Sequence, residues 1–184
     1  MIRDEELCRQ LQAGNEAAME ALVHRHHRAI FAFLYRQTGD AHTADDLAQE
    51  CFIRLCTRIG SYRYPDPFLP WLYTIAHNLY KDWRKNAWQR KVVPLEQPEP
   101  SSGTAPIDLL ERYADRAEVV RALGALDEAH RSALVLRYYQ DLTVPQIARI
   151  EGVPEGTVKS RLSIALRRLR DLLSRERGVQ NATD

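Results

Sequence analysis

The run Leu142 to Arg170, LTVPQIARIEGVPEGTVKSRLSIALRRLR, admits few folds other than a helix-turn-helix. Ile147 and Ala148 lie in a short apolar-periodic segment, Gly152 and Val153 mark a turn, and Pro154 comes where a missing N–H is harmless to a new helix. At about 100° per residue, Val158, Leu162, Ala165, Leu166, Leu169, Leu172 and Leu173 share one stripe, which is expected to be buried. Ala148 and Gly152 are small enough to let two helices touch. The opposite face carries Ser160, Ser163 and Arg167, edged by Lys159 and Arg170 on one side and Arg161 and Arg168 on the other, and no acid interrupts Thr157 to Arg170. Such side chains suit a phosphate-lined major groove, where Arg and Lys bind backbone oxygens or guanine edges and Ser bonds to either. A solvated amphipathic helix would share the periodicity but not the turn and the one-sided charge as well.

A chain of 184 residues holds one medium domain or two small ones, and two fit better here. No apolar run is long enough to span a bilayer, and no cationic, apolar leader follows Met1. Cys8, Cys51 and Cys56 make no CxxC pair and leave an odd count, which argues against a secreted disulfide framework. The expectation is a protein of the reducing cytoplasm without membrane insertion. A net charge of +1 hides strong segregation. Lys81, Arg84, Lys85, Arg90 and Lys91 stand against Asp82 alone, whereas Glu96, Glu99, Asp108, Glu111, Asp115 and Glu118 crowd the stretch that follows. That acidic tether could fold back over a basic face.

The segment VVPLEQPEPSSGTAPI, with Pro94, Pro98, Pro100, Pro106, Ser101, Ser102 and Gly103, reads as an extended Pro/Ser-rich linker. On both sides apolar residues recur at three and four, without alternating strand-like runs, so the fold class is all-α: two small helical domains on a flexible linker. The expected boundaries are 1–91, a linker over 92–115, a second domain over 116–176 and a tail over 177–184. In the first domain, helices are expected near Asp4 to Gln12 and from about Glu16 to Gln37, with a stop at Gly39 and Asp40. Thr43 with Asp46 resembles a capping box opening a third helix. Its stripe of Ala44, Leu47, Ala48, Cys51, Phe52, Leu55 and Ile59 faces inward, while Asp45, Asp46, Gln49, Glu50 and Arg54 face out. Cys51 is expected in the core and Cys56 half-buried beside it.

After Gly60 and YPDPFLP, a fourth helix from about Phe68 buries Phe68, Trp71, Leu72, Ile75, Ala76 and Leu79. Its end, HNLYKDWRKNAWQRK, interleaves Tyr80, Trp83 and Trp88 with cations, the equipment of a single-strand surface where bases stack on rings. Trp83 lies four residues past Leu79 and reads better as an extension of the core stripe than as a stacking platform.

Three segments in order, ADDLAQECFIRL (Ala44 to Leu55), FLPWLYTIAHNLYKDWRK (Phe68 to Lys85) and LDEAHRSALVLRYYQDLTVPQIARIEGVPEGTVKSRL (Leu126 to Leu162), resemble the two-domain sigma factors of the extracytoplasmic-function group of the sigma-70 family. The likeness covers nearly the whole chain. It implies no enzyme activity and no cofactor or metal, but a factor that binds core RNA polymerase, directs it to promoter DNA and helps open the duplex. It also implies regulation by an anti-sigma factor, often membrane-anchored, which a flexible linker would let the two domains clamp.

By that resemblance, the helix Ala44 to Ile59 docks on the clamp helices of the largest polymerase subunit through Asp45, Asp46, Gln49 and Glu50, with Phe52 and Ile53 nearby; acidic side chains suit a basic partner helix. The motif IAHN makes Asn78 the reader of a flipped minus-ten base, with Leu79, Tyr80, Lys81 and Asp82 lining the loop. Lys81, Arg84 and Lys85 would hold phosphates of the melting strand, with Trp88 beside them, and His77 is given no role. In the second domain Thr157, Lys159, Ser160, Arg161, Ser163 and Arg167 match the recognition positions for the minus-thirty-five duplex. Ser163 stands where some members carry an aromatic, and Ile164 where others place a base, so the promoter sequence does not carry over. The preceding helix opens at Pro145 and Gln146, and its N-terminus could take a phosphate. Leu123, Leu126, Leu134, Leu136 and Tyr138 form an apolar face shared between core and the polymerase flap.

Two other readings compete. A one-component regulator with an N-terminal sensor would bind a palindromic operator without polymerase. A metal site would draw on His24, His26, His27 and Cys8, yet no carboxylate or cysteine has metal-ligand spacing with them.

Overall fold

The structure is a computed structural model that describes residues 2–91 and 122–180, with side chains up to 87 in the first stretch and up to 172 in the second. Regular structure among the described residues is entirely helical. The first domain comprises α1 (Asp4–Gln12), α2 (Ala17–Thr38), α3 (Ala41–Arg58), a 3-10 turn (Ile59–Ser61) and α4 (Phe68–Lys91). The second, after a helical stretch at 122–124, comprises α5 (Glu128–Tyr138), α6 (Val144–Glu151) and α7 (Glu155–Gln180). The Pro/Ser linker and its acids lie outside the described residues; α7 continues beyond the expected boundary at 176.

Local chemistry accounts for the helix ends. Asp4, Glu5 and Glu6 in the first turn of α1 complement its positive N-terminus. Asp4 also ties α1 to α2, accepting from Arg25 and meeting His26 Nε2 at 3.0 Å. Gln12 pins the other end of α1 by donating to the carbonyls of Ile59 and Tyr62, each at 2.8 Å. Gly39 ends α2 in the left-handed region at φ 72°. The next residue corrects one expectation: α3 begins at Ala41, and its cap is Asp40, whose Oδ1 accepts from the Thr43 N–H at 2.7 Å. Thr43 is already inside the helix, and Asp46 pairs with His42 instead.

The core of the first domain follows the expected stripes. Ala44, Leu47, Ala48, Cys51, Phe52 and Leu55 of α3 pack with Leu22, Ile30, Phe33 and Leu34 of α2 and with Phe68, Leu72, Ile75, Ala76 and Leu79 of α4. Ile59 is only partly buried, as are Trp71 and Trp83, which lie against the cluster. Tyr62, Phe68 and Trp71 form an aromatic knot with centroids 5.2–6.5 Å apart. Cys8 and Cys51 are buried, and burial pushes both thiols up to about 12; Cys56 is exposed rather than half-buried.

The helix-turn-helix is α6 and α7. A capping box opens α6, with the Gln146 Oε1 accepting from the Thr143 N–H at 2.8 Å, and Pro145 sits in the tolerant first turn. Gly152 ends α6 at φ 67°. A Cβ there would meet no atom within 4 Å, so the glycine serves the left-handed turn and not close helix approach as expected. Ile147, Ile150, Val158, Leu162 and Ala165 are buried, and Leu169 and Leu172 pack partly against them. Leu166 departs from the expected stripe and is exposed.

The two domains touch. α5 packs against α2, and α6 against α4, joining both cores into one cluster.

Candidate nucleic-acid interface

The face of α7 opposite its buried stripe presents Lys159, Ser160, Ser163 and Arg167, all exposed, while Thr157 is half-buried at its start. Arg161 behaves differently. Its Nη1 donates to Glu151 Oε2 at 2.6 Å, and the Glu151 side chain is only 2% exposed. This guanidinium therefore clamps α6 to α7; in this structure it is committed to the fold, contrary to its expected place on the DNA-reading face. Arg168 is likewise engaged, with Asp127 before α5, and that contact holds the Asp127 carboxyl below its ordinary range. The remaining cations form a strip suited to successive phosphates along a groove.

On α4, Asn78, Lys81, Asp82 and Lys85 are exposed along one side, and Arg84 is exposed but paired. Asp82 lies 3.6 Å from Arg54, a contact that joins α3 to α4. Leu79 and Tyr80 do not line an open loop: Leu79 is core, and Tyr80 is 1% exposed, beneath the second domain and stacked on Trp83 with centroids 6.1 Å apart. The segment after IAHN is also continuous helix, not a loop. The Trp88 side chain lies outside the described residues.

A third surface lies on α3. Asp46, Gln49 and Ile53 are exposed, with Glu50 and Asp45 half-exposed beside them. These carry only light contacts: Asp45 with Gln49 at 2.8 Å, Asp46 with His42 at 2.9 Å, Glu50 with Arg54 at 2.8 Å. Exposed pairs of this kind cost little to exchange for a partner's charges. Ile53, 58% exposed, supplies an apolar centre, whereas Phe52 is core, stacked on His27 at 5.9 Å, and offers no surface here. In the second domain Leu123, Leu126, Leu134 and Leu136 are buried and Tyr138 is exposed. No group of three or more His, Cys, Asp or Glu among the described residues is arranged to hold a metal ion.

Sequence reasoning missed a second inward stripe on α4: Tyr73, His77, Tyr80 and Arg84, spaced by four, three and four. The Tyr73 hydroxyl donates to Gln140 Oε1, Arg131 Nη2 lies 3.4 Å from the Tyr80 hydroxyl, and Arg84 pairs with Glu128. His77 Nδ1 is 3.4 Å from Ser132 Oγ, and burial, with Lys81 and Arg161 nearby, pushes its imidazole down to about 4. Arg36 of α2 stacks over the Tyr139 ring at 4.0 Å. The helical spacing was legible; that it faced another domain was not.

Comparison with known proteins bears on both halves. Residues 22–90 match the model of Sigma-70 region 2, and residues 122–171 match that of Sigma-70, region 4. The ECF RNA polymerase sigma factor SigL of Mycobacterium tuberculosis is 34% identical over 174 residues, covering 91% of this chain and 94% of SigL. Among solved structures, CnrH in complex with the cytosolic domain of CnrY superposes with a TM-score of 0.70 at 26% identity, covering 93% of this chain and 97% of CnrH. The sigma factor RpoE of Bartonella quintana, in complex with the anti-sigma factor NepR, shares the fold with a TM-score of 0.67 at 24% identity, over 84% of this chain and 96% of its own.

Proposed function

The chain belongs to the extracytoplasmic-function group of the sigma-70 family, whose members bind core RNA polymerase and promoter DNA, and from that premise we propose how its residues divide the work. The α7 face of Lys159, Ser160, Ser163 and Arg167, with Thr157, reads the minus-thirty-five duplex, and Arg161 holds that face in place through Glu151. Asn78 captures a minus-ten base extruded from the non-template strand, while Lys81, Arg84 and Lys85 hold its phosphates. The α3 strip of Asp45, Asp46, Gln49, Glu50 and Ile53 docks on the polymerase clamp, with charge steering the encounter and the isoleucine supplying buried area. Tyr138 is available to the flap.

One observation carries the duplex-reading role: Lys159, Ser160, Ser163 and Arg167 are exposed together on the helix whose other face, Val158, Leu162 and Ala165, is core. As a member of this family the chain is read as acting by binding and directing polymerase, not as an enzyme. No helix among the described residues is long and apolar enough to cross a membrane. The polymerase partner is what places the proposed work in the cytoplasm. Control by an anti-sigma factor, possessing a cytosolic domain as CnrY does in its complex with CnrH, fits the same reading.

Run-off transcription from genomic fragments with purified core polymerase tests this. Transcripts should start at a small set of sites only when the chain is added. A chain that neither associates with core enzyme nor confers initiation at any site would end the proposal.

A further inference from the structure

We infer that Arg168 is a further phosphate-binding residue of the duplex-reading helix α7, held in reserve by Asp127 and handed to the DNA backbone when the helix enters the groove. The inference rests on the reading of α7 just given.

A helix lying in a major groove about 12 Å wide has a wall of phosphates on each side. Lys159 and Arg170 edge the reading face of α7 towards one wall, and Arg161 and Arg168 edge it towards the other. The two arginines of that second edge are held differently. Arg161 pairs with Glu151, whose side chain is only 2% exposed, and its departure would strand a buried carboxylate. Arg168, itself half exposed, pairs with Asp127, whose side chain is 64% exposed. A carboxylate so placed is hydrated as soon as its partner leaves, so this pair can exchange where the other cannot. Of the two, Arg168 is therefore the cation available to the second wall. It follows Arg167 directly and lies about 7.5 Å along the axis from Ser163, beside the part of the groove that the face reads.

Asp127 has a second place to go. It is the N-cap residue of α5, with a backbone at φ −57° and ψ 146°, and aspartate is among the preferred residues for that position. Yet its side chain makes no capping hydrogen bond, the carboxylate being turned to Arg168, with His130 Nδ1 3.3 Å away. Release of Arg168 lets the same carboxylate accept from the first-turn N–H groups of α5. The cap gained offsets the ion pair lost, and the exchange costs little. In the free chain Asp127 also cancels a charge that would otherwise strengthen binding to DNA of any sequence.

The test measures binding of the full chain to a labelled random-sequence duplex by anisotropy across a salt series, with thermal unfolding beside it. Arg168→Gln should weaken binding about threefold and lower the salt slope of log K by about 1, and Arg168→Lys should keep most of both. Asp127→Ser, which retains a capping side chain but gives up the charge, should strengthen binding about threefold at about 0.1 M salt, where repulsion acting over a distance is largely screened. In the Arg168→Gln background the same substitution should change binding by less than about 1.5-fold. An equal gain from Asp127→Ser with and without Arg168, an unchanged slope in Arg168→Gln, or a melting temperature lowered by more than about 5 °C in Arg168→Gln would make the pair a plain structural tether and overturn the exchange alone. Slopes unchanged by Lys159→Ala and Arg167→Ala as well, or no duplex binding by any form, would overturn the reading of α7 and this inference with it.

Discussion

Glu151 and Arg161 meet across the turn of the helix-turn-helix at 2.6 Å, with the carboxylate almost wholly buried. The pair joins α6 to α7 through Glu151 Oε2, and the buried Oε1 has no hydrogen-bond partner. Glu151→Ala leaves a half-buried guanidinium without its counter-charge and should destabilise the second domain by about 2–3 kcal/mol, at or just below the range for broken buried pairs because Arg161 is partly solvated. Denaturant unfolding followed by circular dichroism measures this. A loss below about 0.5 kcal/mol would mean that the pair behaves as an ordinary surface contact.

Lys159→Ala or Arg167→Ala should weaken upstream duplex binding with little effect on stability, each lowering the salt dependence of log K by about 1. Arg161→Ala should instead lower stability and binding together. Salt-titrated anisotropy beside thermal unfolding separates the two patterns; equal stability losses in all three variants would refute the division.

Asn78 is exposed on α4, and its removal disturbs no core contact. Asn78→Ala should impair strand opening, read with permanganate footprinting, and leave affinity for core polymerase within about twofold. Equal loss of both would assign the residue to docking.

Ile53 projects from the acidic face of α3. Ile53→Ala should weaken core-polymerase binding about tenfold, by loss of roughly 1–2 kcal/mol of apolar burial, with the helix intact. Asp46→Lys should act mainly on the association rate and fade at high salt. Unaltered binding in both would move the docking surface elsewhere.

The folded chain should lose stability in acid through His77. Burial holds its imidazole near 4, below its ordinary 6.5, and the Lys81 and Arg161 charges act in the same direction. The unfolded chain therefore takes up more protons between these values. The contribution is fully present above pH 6.5 and is lost as pH falls towards 4, by about 3 kcal/mol at most. Denaturant unfolding across that window should show the fall, and His77→Gln should flatten it. A fall unchanged by His77→Gln would place the titrating group elsewhere.

Much of this architecture was legible from local patterns. The buried stripes of α3 and α4 followed from spacing, and the Gly39 and Gly152 helix ends from residue type, because a helix declares its inner face through period and its limits through caps. Errors fell where a choice among neighbours was decided by geometry. Asp40 and Thr43 can both cap α3, and only the position of the chain after Gly39 selects Asp40. Arg161 and Lys159 are alike as cations in the primary structure, and only the facing Glu151 engages one of them within the fold.

Amino-acid order alone thus specified two helical units, their polarity and the cationic face of α7, since each depends on residues within a few positions of one another. How those units lie together came from folding. Tyr80 with Arg131, His77 with Ser132 and Tyr73 with Gln140 are 51, 55 and 67 positions apart, and each is a polar contact that no periodicity announces. Such links form only after the loop between them closes, so three-dimensional packing determines whether Tyr80 faces a DNA strand or the chain's own second domain.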